Sequence, residues 1–90
     1  GQDQASRRGK LKTQEALEWI AGVFEEPADR ITADTMRPQI LGWDSLGTLT
    51  LIAALDEQFA VHLSQKDIDA MKGVRDVLDL LRRNGKLDEG

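Results

Sequence analysis

The chain has 90 residues, 40% hydrophobic and 31% charged, with a net charge of −4 and no cysteine. That length supports one domain with a single core, and the absent cysteines exclude disulfides and thiolate metal sites. The acidic balance argues against nucleic acid, whose phosphates need a basic face, and no apolar run nears the roughly 18 residues of a membrane span.

In chain order, Arg7, Arg8, Lys10 and Lys12 outweigh Asp3 at the start, leaving the remaining sequence acidic. Residues 1–9 are expected to form a flexible basic arm, because a membrane or RNA tether would need a denser cluster. A first helix follows from Leu17, Ile20, Ala21 and Phe24, spaced i, i+3, i+4, i+7, with Thr13 as a start and Pro27 as a stop. A second runs from Asp44–Ser45 to about Phe59, with Leu49, Ile52, Leu55 and Phe59 as its inner stripe and Leu46 and Leu51 widening it. Ser64 opens a short third helix through S-Q-K-D, a capping box with Asp at its third position; Ile68 and Met71 are its apolar contacts and Gly73 ends it. The fourth carries Val74, Val77, Leu78 and Leu81, then Arg82 and Arg83 before an Asn84–Gly85 cap. There are no internal repeats and no strand signals. The expected fold is an all-α bundle of three longer helices and one short one.

Residues 25–43 form an unusually long connection for so small a bundle. Ile31, Met36, Ile40, Leu41 and Trp43 predict that it packs across the bundle end rather than hanging free. It delivers GWDSLG, residues 42–47, to the second helix. Asp44 and Ser45 are both good N-caps. A nucleophile elbow would need Gly where Trp43 stands, and a hydrolase would need a base oriented by a third group, for which the chain offers one histidine, His62, seventeen residues on from Ser45. An esterase is therefore disfavoured. Free N–H groups and the positive dipole end make a helix start a good place for phosphate, so an exposed serine there can hold a phosphate ester.

The run GWDSLGTLTLIAALDEQFAVHLSQKDI resembles the centre of acyl carrier proteins, with Asp-Ser-Leu opening the second helix and His62, Leu63, Asp67 and Ile68 matching an x-L-x-x-x-D-I segment. The resemblance covers about residues 10–84, the expected carrier domain, with 85–90 as a flexible tail. It implies that Ser45 carries a 4′-phosphopantetheine arm, transferred from coenzyme A by a separate phosphopantetheinyl transferase. Asp44 would help hold that enzyme's Mg²⁺, Leu46 would flank the arm, and Trp43 would either lie against the arm or pack under the loop. Acyl groups would then ride as thioesters on an imported thiol. The chain itself would be no enzyme and hold no metal, and would work as a cytoplasmic monomer with acyl-loading and acyl-processing enzymes that present basic surfaces. A peptidyl or aminoacyl carrier is one alternative. A helical interaction module in which Asp44-Ser45 is only a cap is the other.

The resemblance also places a partner surface at Asp34, Gly47, Thr50, Asp56 and Glu57. Family members of fatty acid synthesis usually have acids where Gly47 and Thr50 stand, which points to a specialised lipid or secondary-metabolite pathway. An acid at 47 is expected to be tolerated, since acids near a helix start and loss of glycine are both favourable. Leu49, Ile52, Leu55, Phe59, Val77 and Leu81 are expected first as core and second as shelter for an acyl chain. Trp19 is expected near the core face, and His62 at the surface.

Overall fold

Helix α1 spans Thr13–Phe24 in the computed structural model, which describes residues 10–88. The carboxylate of Glu15 closes its start by accepting a hydrogen bond from the Lys12 amide at 2.9 Å. Its inner face buries Ala16, Ile20, Ala21 and Phe24. The basic arm expected over residues 1–9 lies outside the described residues. Three more helices follow: α2, Ser45–Phe59; α3, Gln65–Ala70; and α4, Val74–Arg83. The order helix, long loop, helix, short helix, helix is the one expected. Among the described residues no helix is long and apolar enough to cross a membrane.

The short α3 depends on its cap. Ser64 and Asp67 exchange hydrogen bonds, each backbone N–H donating to the other's side chain at 3.1 Å. The bond from the Ser64 amide, with the Ser64 side chain beside it, holds the Asp67 carboxyl below its ordinary value. Gly73 does not simply end α3, because it is the residue that caps α4. Val74, Val77, Leu78, Leu80 and Leu81 of α4 are buried, in one core cluster with Ile20, Phe24, Leu51, Leu55 and Phe59.

Two features have no signal in the periodicity. Leu11–Lys12 (β1) and Leu87–Asp88 (β2) pair as parallel strands, Leu11 opposite Leu87. Two residues are too few for alternation to show. Gly85, at φ 72°, makes the left-handed turn after α4 that sends the chain back. Leu87 is buried, so ordered packing extends into the segment expected as a flexible tail.

The long loop is packed, as expected, but only in part. It holds two single 3₁₀ turns, Ala28–Arg30 and Arg37–Gln39, and buries Ile31, Thr35, Ile40 and Trp43, while Met36 and Leu41 stay exposed. Its middle is tied to the α3–α4 junction: Arg37 N donates to Lys72 O at 3.0 Å, and Val74 N donates to Thr35 O at 2.9 Å. Its far end closes on both long helices. A Cβ on Gly42 would overlap the carbonyl oxygen of Phe24, and a Cβ on Gly47 would overlap the carbonyl oxygen of Gly42.

This contact rotates α2 from its expected orientation. The buried stripe is Gly47, Leu51, Leu55 and Phe59. Ile52 is half-buried, and Leu46 and Leu49 are 71% and 63% exposed. A count of hydrophobic residues favours the stripe through Leu49, because a glycine adds nothing to that count. The backbone contact at Gly47 decides the outcome instead. An acid at 47 has no room.

The two helical glycines should therefore behave oppositely. A Cβ on Gly22 meets nothing within 4 Å, so Gly22→Ala should stabilise by about 0.5–1 kcal/mol. Gly47→Ala forces the loop backbone away and should destabilise by about 1–3 kcal/mol. Urea midpoints of the two variants at neutral pH would check both signs.

Candidate functional site

The corner between loop and α2 is built from backbone contacts. Asp44 is extended, at φ −102° and ψ −163°, and its side chain accepts a hydrogen bond from the Gly47 amide at 2.8 Å. Its carbonyl accepts from both the amide and the hydroxyl of Thr48, at 2.8 and 2.9 Å. Asp44 is thus the cap, and Ser45 is the first helical residue, exposed to solvent. The Ser45 hydroxyl makes no hydrogen bond among the described residues, and the amides of Ser45 and Leu46 have no acceptor there. Free donors at the positive end of a helix favour an anion.

Trp43 settles under the loop rather than beside Ser45. It is 3% exposed and stacks on Phe24, with ring centroids 4.9 Å apart and an interplanar angle of 20°. Arg37 covers the ring at 6.0 Å, and its Nε donates to the Trp43 carbonyl at 3.0 Å. The indole N–H is buried without a partner among the described residues, at a cost of about 1–3 kcal/mol. Trp43 is a wedge in the core, with no ring surface to offer an arm. Sequence reasoning passed over Arg37, which fixes the carbonyl two residues before Ser45; one basic residue beside a proline carries no periodic signal.

The residues expected to meet partners divide sharply. Gly47 is buried and presents no side chain. The Thr50 hydroxyl donates to Leu46 O at 3.1 Å. Asp34 pairs with Arg75 across the loop, and Asp56 pairs with His62 at 3.1 Å. Glu57 is exposed, without an ion pair among the described residues. His62 follows the far end of α2, roughly 20 Å from Ser45 by helical rise, so no serine–histidine pair assembles. Of the residues expected to shelter an acyl chain, Leu55, Phe59, Val77 and Leu81 meet in the core. Ile52 borders it, and Leu49 lies on the outer surface. Trp19, half-buried, meets the edge of Phe59 at 5.1 Å and donates from its indole to Gln58 at 3.0 Å.

Residues 14–81 match the family described as "Phosphopantetheine attachment site". The chain is similar to the acyl carrier protein of Syntrophobacter fumaroxidans, at 39% identity over 65 residues, covering 72% of this chain and 80% of that protein. It is also similar to the acyl carrier protein of Treponema denticola, at 31% identity over 67 residues, covering 74% and 86%. The acyl carrier protein of Bdellovibrio bacteriovorus is 33% identical over 58 residues, 64% of this chain and 74% of that protein. No solved structure matches significantly. The chain belongs to the acyl carrier protein family. It is a carrier and not an enzyme, its cofactor is covalent 4′-phosphopantetheine, and it works with a phosphopantetheinyl transferase and acyl-processing enzymes.

The cap can be tested apart from the arm. Asp44→Ala should lose about 1 kcal/mol of stability, while Asp44→Asn should keep most of it, because either side chain can accept from the Gly47 amide. Chemical denaturation of the three unmodified proteins would show the order.

Proposed function

We propose that the phosphopantetheine arm is esterified to Ser45 and that the chain carries acyl intermediates on it in a specialised lipid or secondary-metabolite pathway. One observation supports this above the rest: Ser45 is the first residue of α2, with its side chain exposed and unengaged among the described residues. The local chemistry fits the group. A phosphodiester on Ser45 would lie at the amides of Ser45 and Leu46, where the helix end carries partial positive charge. When bound, the arm supplies the terminal thiol for thioester chemistry, which this cysteine-free sequence otherwise lacks.

The chain's own residues have limited tasks. Ser45 offers its Oγ to the transferase, which takes the hydroxyl proton as 3′,5′-ADP leaves coenzyme A. Asp44 holds the Gly47 amide through Oδ1, and Oδ2 remains available to the transferase's Mg²⁺. Leu55, Phe59, Val77 and Leu81 form the part of the core that would part to shelter an acyl chain. The domain works as a cytoplasmic monomer, and pairing of β2 with β1 extends it past the expected bounds of 10–84. Its acidic body steers basic partner surfaces toward it. The pathway reading rests on the first turns of α2, where Gly47 and Thr50 replace the acids of housekeeping carriers.

Incubation with coenzyme A, Mg²⁺ and a broad-specificity phosphopantetheinyl transferase should add one phosphopantetheine to the intact chain. Ser45→Ala should add none, whereas Ser64→Ala should be modified normally. An unchanged wild-type mass, under conditions that convert a control carrier, would contradict the assignment of Ser45.

A further inference from the structure

A groove runs between α1 and α2, on the flank of α2 away from Ser45. Trp19, Gly22 and Val23 line it from α1, Thr50, Ala54 and Gln58 line it from α2, and Glu25 closes one end. At 3.6 residues per turn, the three α2 residues stand roughly 140–220° around the helix from Ser45. Trp19, Val23 and Ala54 are half-buried. The space above Gly22 is open, with nothing within 4 Å of a Cβ placed there. Two polar groups of the lining are already spent. The Trp19 indole donates to Gln58 at 3.0 Å, and the Thr50 hydroxyl donates to Leu46 O at 3.1 Å. The groove therefore offers apolar surface and room at a glycine.

Its rim is acidic and unanswered. Neither α1 nor α2 contains a lysine or an arginine. Glu18, Gly22 and Glu25 fall at i, i+4 and i+7, so the open glycine lies between two carboxylates on one stripe. Glu57 adjoins Ala54 on the other side. Glu18, Glu25 and Glu57 are exposed, and none has an ion pair among the described residues. Glu25 also works against the stability of the helix it ends. It takes the left-handed conformation, at φ 58°, which favours glycine, and it stands at the negative end of α1, which favours a cation. The domain gives that carboxylate nothing to bind.

We infer that this groove docks an amphipathic helix of a partner protein, with apolar side chains over Gly22 and Ala54 and cations against Glu18 and Glu25. The two carboxylates are seven residues apart, roughly 10 Å along α1. Lysines or arginines at i and i+7 of a partner helix have the same spacing, and their i+3 and i+4 neighbours then face Gly22. Bound on this flank, the partner leaves Ser45 uncovered and can hold the domain in place while other proteins reach the serine. The docking itself does not depend on the Ser45 assignment. A second copy of the chain fits less well. Arg75 and Arg82 of α4 have the required spacing, but they are paired within the chain with Asp34 and Asp79.

The probe is a fluorescein-labelled, alanine-rich helical peptide with arginines at i and i+7 and leucines at i+3 and i+4, titrated with the unmodified protein and followed by anisotropy. A control peptide of the same composition carries its arginines at i and i+5, on different faces. The matched peptide should bind about tenfold more tightly than the control. Gly22→Leu fills the groove and should weaken binding about tenfold, and circular dichroism should show it folded, since its side chain enters open space. Glu25→Gly should raise the urea midpoint and yet weaken binding about threefold, more at low salt than at high salt. Those opposite signs are what a merely structural Glu25 would not give. NMR shifts on binding should centre on the Trp19 indole, Gly22 and Ala54. Equal binding of the two peptides, an unchanged affinity in Gly22→Leu, or shifts centred on Ser45 and Leu49 would each overturn the inference. So would sedimentation showing a wild-type dimer that Gly22→Leu dissociates, which would assign the groove to a second copy. None of these readouts involves the arm, so they stand apart from the assignment of Ser45.

Discussion

The closest packing at the site is between two backbones. The carbonyl of Gly42 occupies the space that a side chain on Gly47 would need, and Gly42 itself sits against the carbonyl of Phe24. The end of the long loop is thus wedged between the last residue of α1 and the first turn of α2. Everything at the site follows from that wedge. Trp43 must turn inward onto Phe24. Asp44 must leave the loop extended, which puts its carboxylate at the Gly47 amide. Ser45, next in line, is left outside.

The same contact sorts the side chains of α2. Turning Gly47, Leu51, Leu55 and Phe59 inward places Leu46 and Leu49 outward. A glycine inside a helix costs about 0.5–1 kcal/mol relative to alanine, and an aspartate cap returns a similar amount. Energetically the arrangement is near balance, so its value lies in geometry. It gives a stiff corner that displays one hydroxyl and an apolar rim, while tying the loop to α3 and α4 through Thr35 and Arg37.

Much of this was legible in the sequence, for identifiable reasons. Helices α1 and α4 carry apolar residues at regular helical spacing, and Ser64 with Asp67 is a cap that needs only local contacts. Asp44-Ser45-Leu46 with the apolar run behind it marks the site and the family. The orientation of α2 was not legible, because it is set by the absence of a side chain at Gly47 against a residue five positions earlier. Trp43 could be placed only once Phe24 was known to lie beneath it. The β1–β2 pair joins the two ends of the described chain through two residues each, and neither has a pattern of its own. The neutral head of α2 could be read as a departure from related carriers, but its apolar rim emerges only from the rotation of the helix.

The central claim is that the start of α2 is a preformed, closed corner and not a fraying helix end. Amide hydrogen exchange of the unmodified protein, resolved by residue in NMR spectra, tests it directly. The Gly47 amide, buried and bonded to Asp44, should be protected comparably to the Leu51 amide in the middle of the helix, and both should open together. Exchange of Gly47 at the rate of an unstructured amide, with Leu51 still protected, would contradict the account.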